Sequence, residues 1–186
     1  MAQNSSRATA KFDANRSAEV AATMFLDFDG SMHVGRASMD EHRVITLDTG
    51  RPLFEFAPLL IELLKPYPSV RLVLTTSWLM TLTQEEVVAL MPSELGRRVV
   101  GTTQFVPSRL SYILNGTDRT YVIWKYACGK RLKHWLAVDD AVYGADEFGR
   151  KRGEVDEHFL LLNPLRGLSD DAALQRIAEW LVEVHR

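Results

Sequence analysis

The stretch Met24-Phe25-Leu26-Asp27-Phe28-Asp29-Gly30 decides how this chain is read. Its first half is a short apolar run, as expected of a strand buried on both faces. Its second half is a pair of acids one residue apart, followed by a turn. The same grammar recurs downstream. Arg71-Leu72-Val73-Leu74 runs into Thr75-Thr76-Ser77-Trp78, and His134 to Val138 runs into Asp139-Asp140. Arg98 to Gly101 and Phe159 to Leu162 read as two more strands.

Helical patterns fall between the strands. Phe56, Leu59, Leu60, Leu63 and Leu64 have helical spacing, closed by Pro66 and Pro68. Thr83 is positioned to cap a helix over Gln84 to Leu90, which Pro92 stops. The turn Asn115-Gly116-Thr117-Asp118 leads a helix from about Arg119 to Cys128, with Gly129 just past its end. Ser169 is the expected cap of a last helix striped with Leu174, Ile177, Ala178 and Leu181. Arg43 to Leu47 reads as one arm of a hairpin, and 102–115 carries no legible pattern. Continuously apolar strands alternating with helices predict an α/β fold. It is a doubly wound parallel sheet of about five strands with helices on both faces.

Composition narrows the class further. At 186 residues, 46% apolar and 25% charged, the chain is neither disordered nor a coiled coil. It is sized for one domain, expected over residues 20–186 after a polar tail at 1–19. Asp13 and Glu19 argue against a transit peptide in that tail. A net charge of −2 excludes a general polyanion binder. The single cysteine, Cys128, forbids an internal disulfide and suits a reducing, cytoplasmic setting. No apolar run is long enough for a membrane span.

In sheets of this kind ligands collect at the carboxyl ends of the strands. Asp27, Asp29, Thr75, Asp139 and Asp140 all fall there. Several carboxylates meeting at one point stay ionised only with a cation among them. Oxygen-only ligands favour Mg²⁺, which completes its shell with water and a substrate phosphate. Thr75, with Thr76 as the fallback, and the following N–H groups offer neutral donors to phosphate oxygens.

The order Asp27-Phe28-Asp29-Gly30, Thr75, a basic residue, then Asp139-Asp140 resembles the haloacid dehalogenase (HAD) superfamily of phosphohydrolases, which share a Rossmann-like sheet. Leu72 to Trp78 and Trp135 to Asp140 are also similar to a small branch found alone or within RNA-repair proteins. The resemblance spans about residues 22 to 183. It implies that Asp27 is the nucleophile that forms an aspartyl-phosphate. Asp29 would be the acid and then the base, with its carbonyl on the metal. Thr75 would hold the phosphoryl group, and Asp27, Asp139 and Asp140 would hold Mg²⁺.

The superfamily's basic residue is usually lysine, which would be Lys125. Arg119 is preferred here, because Lys125 lies six residues further along a helix that runs away from the site, roughly 9 Å down its axis. Arg119-Thr120-Tyr121-Val122-Ile123 also resembles the branch's Arg-x-x-acidic-Ile opening, with Val122 in place of the acid. Ser31 stands where the motif tends to have Thr or Val, and it retains the means for a polar contact.

Other residues receive plainer readings. His33 is expected at the surface and Cys128 as an apolar filler. Trp78 is read as core, with walling the site or stacking on a base as the alternative. Arg150-Lys151-Arg152 reads as a solvated turn on the active-site side. The 40 residues from Ser31 to Val70 and the 43 from Thr76 to Asp118 leave no room for a separate lid. An open site suits a bulky phosphorylated substrate, nucleic acid included. Three readings follow: a Mg²⁺-dependent phosphatase, a nucleic-acid end-processing phosphatase, and a catalytically silent binding or regulatory module.

Overall fold

A computed structural model describes residues 21–186. The expected tail at 1–19 lies outside the described residues. Seven strands and six α-helices occur among those described. The strands are β1 (Thr23–Leu26), β2 (Ala37–Met39), β3 (Ile45–Leu47), β4 (Arg71–Leu74), β5 (Val99–Thr102), β6 (Trp135–Asp139) and β7 (Phe159–Leu161). The helices are α1 (Ala57–Leu64), α2 (Gln84–Leu90), α3 (Ser93–Gly96), α4 (Leu110–Asn115), α5 (Asp118–Gly129) and α6 (Asp171–Val184).

Five strands form one parallel sheet in the order β5-β4-β1-β6-β7. The chain first winds outward from β1 through β4 to β5, then crosses to the other side of β1 for β6 and β7. The crevice created by that reversal opens at the carboxyl end of β1. Strand register aligns the chemistry: Leu26 lies opposite both Leu74 and Val138, so Asp27, Thr75 and Asp139 follow at one level.

The apolar runs are explained by burial on both faces. Met24, Leu26, Leu72, Leu74, Leu136 and Val138 face Leu60, Leu64, Ile177 and Leu181 in the larger core. Phe25, Val73, Trp135 and Ala137 face Ile123 and Ala127 of α5 in a smaller one. Strands β2 and β3 pair as an antiparallel hairpin, Ala37 opposite Leu47. No separate cap is present among the described residues.

Several local expectations are corrected. Asp170, not Ser169, caps α6: its carboxylate accepts from Ala172 N–H, while Ser169 Oγ donates to the Arg166 carbonyl. Asp170 has the better acceptor for a helix N-terminus. Gly129 is the last helical residue of α5 and Lys130 follows as its cap. Cys128 is exposed, because the buried stripe of α5 runs through Thr120, Tyr121, Ile123 and Ala127. The illegible 102–115 segment contains α4, which buries none of its residues. Thr83 caps α2 as expected, in a reciprocal capping box with Glu86.

Leu72 is fully buried between two layers, whereas Leu110 on α4 is 70% exposed. Leu72→Ala is therefore expected to cost about 2–5 kcal/mol in chemical denaturation, and Leu110→Ala no more than about 0.5 kcal/mol.

Candidate active site

Asp27 leaves β1 with its N–H donated to the Val138 carbonyl. It is nearly inaccessible, and Asp139 is fully buried. One carboxylate oxygen from each of Asp27, Asp139 and Asp140 lies within 4.8 Å of the others. Among the described residues, Arg119 is the only cation in ion-pair contact with this group. Its Nη1 lies 3.4 Å from Asp27 Oδ1 and 3.4 Å from Asp139 Oδ2. Arg119 reaches them from the first turn of α5.

The sharing is electrostatically incomplete. Burial pushes the Asp27 carboxyl well above the ordinary range, and the Asp139 carboxylate adds to this; Arg119 and the Phe28 N–H only partly offset them. Burial also raises Asp139, against Arg119, the Ala141 N–H and the Thr75 hydroxyl. Asp140 is raised by burial and by Asp139. Burial depresses Arg119, but Asp139, Asp27 and Asp140 outweigh it and hold the guanidinium more firmly charged. Three acids against one guanidinium, all oxygen donors, fit a hard divalent cation.

Asp29 belongs to a different arrangement. Its Oδ1 accepts from His33 Nε2 at 3.1 Å and from Trp78 Nε1 at 2.9 Å, and its Oδ2 accepts from the Ala37 N–H at 3.2 Å. Burial alone would raise this carboxyl, but the three donors overcome it and leave it lowered. His33 is fully buried rather than at the surface. The cause is the turn after Asp29: Phe28 carbonyl accepts from both Ser31 and Met32 N–H, folding His33 back under Phe54 and Trp78. The Phe54 N–H donates to His33 Nδ1, which leaves Nε2 as the ring nitrogen that donates to Asp29. The Asp-x-x-x-His spacing was the sequence signal for this pair. Trp78 combines both of its readings, being buried and in contact with a site carboxylate.

Gly30 explains how the two halves meet. It has φ +71°, and a Cβ there would overlap the Asp140 carboxylate. Thr75 Oγ1 donates to Asp139 Oδ2 at 3.2 Å. Thr76 accepts from Trp78 N–H. Lys125 is not brought to the cluster; its Nζ donates to the Pro107 carbonyl and lies over the Tyr121 ring. Ser31 Oγ is buried without a hydrogen-bond partner among the described residues, and Ser31 contributes its carbonyl to Leu168 N–H instead. In the 150–152 loop, Arg152 pairs with Asp146, and Arg150 and Lys151 N–H donate to Glu154.

Residues 23–173 match the family described as the HAD domain in Swiss Army Knife RNA repair proteins, and the chain belongs to that family. No curated protein matches the chain, and no solved structure does. No helix among the described residues is long and apolar enough to cross a membrane.

The raised carboxyls make a prediction about pH. Between the ordinary aspartate range and the higher range of Asp27, the folded chain holds protons that the unfolded chain has released, so stability falls as pH rises. Metal-free protein is expected to melt at a lower temperature at about pH 8 than at about pH 5. Asp27→Asn should reduce that decline, measured by calorimetry in chelator.

Proposed function

We propose that this chain is a Mg²⁺-dependent phosphohydrolase that forms an aspartyl-phosphate on Asp27. The observation that carries this reading is the meeting of buried Asp27 and Asp139 with half-buried Asp140, with Arg119 paired to the first two, in a chain of the HAD family. In this reading Asp27, Asp139 and Asp140 hold the ion. Bound Mg²⁺ would neutralise the carboxylates and a phosphate oxygen, which lets one anion approach another.

The protein's own residues do the rest. An Asp27 carboxylate oxygen attacks phosphorus as the bond to the leaving oxygen breaks. Arg119 offsets charge on the transferring group from a position already between Asp27 and Asp139. Thr75 turns its hydroxyl from Asp139 to a phosphoryl oxygen, and the N–H groups after it add donors. Asp29, held as a carboxylate, is ready to take a proton from the water that cleaves the aspartyl-phosphate. For the first step it accepts a proton carried in by a phosphomonoester monoanion and passes it to the leaving oxygen.

A second reading, removal of a terminal phosphate from a nucleic acid, is favoured by the family's occurrence in RNA-repair proteins and by the uncapped site. It is supported if cleavage of a phosphorylated oligonucleotide, but not of a small phosphomonoester, weakens steeply with salt.

The test is a screen of phosphomonoesters with and without Mg²⁺. Asp27→Asn should lower turnover by about 10⁴-fold or more, and Arg119→Ala by about 10²–10³-fold. Lys125→Ala should stay near wild type. Full activity in Asp27→Asn, or loss with Lys125→Ala alone, would overturn these assignments.

A further inference from the structure

Beside Asp29 lies a groove of about 310 Å³ between the β2–β3 hairpin and the single 3₁₀ turn at Ser77–Met80. Its walls are apolar: Met39 and Ile45 from the hairpin, then Trp78, Met80 and Leu82 from the turn and beyond. Met80 is 89% exposed. At the margin stand the exposed hydroxyl residues Ser38, Ser77 and Thr81. Among the described residues, no charged side chain lines the groove.

Two lining residues connect this groove to the chemistry. Ala37 donates its N–H, and Trp78 its indole N–H, to the Asp29 carboxylate. Asp29 is the group assigned above to the leaving oxygen. Whatever fills the groove is therefore attached to the leaving side of the substrate, not to the transferred phosphoryl group.

We propose that the groove is a leaving-group subsite for the nucleobase of a terminal nucleotide, an inference that rests on the phosphohydrolase reading. Three observations select that occupant. Absence of charge rejects a second phosphate or a polyanionic backbone at this position. Apolar walls suit a flat ring, and the two thioethers adapt to rings of different outline. The three hydroxyls can exchange hydrogen bonds with the donor and acceptor edge of a base, which a plain phenyl ring has no group to use. Such a subsite tolerates different bases, because its polar groups are rotatable hydroxyls without a fixed donor pattern.

Binding is read on the full-length Asp27→Asn protein, with wild type in chelator as a second background in case that variant is poorly folded. Adenosine 5′-monophosphate, ribose 5-phosphate and O-phosphotyrosine are titrated separately while amide and indole N–H resonances are followed. The nucleotide is expected to bind about tenfold or more tightly than the sugar phosphate. It should shift the Trp78 indole and residues 38, 39 and 77–81, which ribose 5-phosphate leaves in place. Met80→Glu should erase the nucleotide's advantage, whereas Leu114→Glu, exposed and outside the groove, should not. Equal affinity for nucleotide and sugar phosphate, or tighter binding of phosphotyrosine, would overturn the proposal. Because the readout is binding, an inactive wild type would count against the phosphohydrolase reading and not against the subsite.

Discussion

Crowding of three carboxylates, two buried and one half-buried, around a single guanidinium is the constraint on which the rest of this candidate site depends. Asp27, Asp139 and Asp140 converge within a few ångströms, yet only Arg119 opposes them among the described residues. Burial makes ionisation harder, and each carboxylate makes it harder for the next. The fold holds this arrangement because parallel strands deliver it. Backbone pairing sets Asp27 level with Thr75 and Asp139, and the cores on either face of the sheet leave those strand ends no freedom to slide. A sheet built this way tolerates electrostatic strain at its rim because its stability resides elsewhere.

The second acid is governed by different physics. Asp27 sits among like charges, whereas Asp29 is surrounded by hydrogen-bond donors from three places: the turn that carries His33, the hairpin that carries Ala37, and the 3₁₀ turn that carries Trp78. Two aspartates two residues apart thus have their proton affinities driven in opposite directions. In the proposed reaction such a split would suit a group that reacts and a group that exchanges protons. The hairpin and the 3₁₀ turn both end on Asp29, so both fix the position of its carboxylate.

The sheet and the meeting of Asp27, Thr75, Asp139 and Asp140 at its strand ends were legible in the sequence because strand-end chemistry is local. Met24 to Asp29, Leu72 to Thr75 and Leu136 to Asp140 each announce a strand and its terminal group without reference to the others. The preference for Arg119 over Lys125 came from helix rise, a local quantity, and the structure brings Arg119 beside the acids while Lys125 turns to Pro107. What was illegible depends on contacts between segments. The burial of His33 needs Phe54 and Trp78 above it, and the helix at Leu110–Asn115 has no buried stripe to betray it. Asp170 displaced Ser169 as a cap through a one-residue difference in where α6 begins.

The carboxylate cluster of Asp27, Asp139 and Asp140 could hold a divalent cation. Its most direct measurement is a titration of the metal-free protein with Mn²⁺, followed by electron paramagnetic resonance. The account predicts one ion bound per chain, displaced by Mg²⁺ and lost in Asp139→Asn. Free Mn²⁺ rising in proportion to the amount added, with wild type indistinguishable from Asp139→Asn, would contradict it.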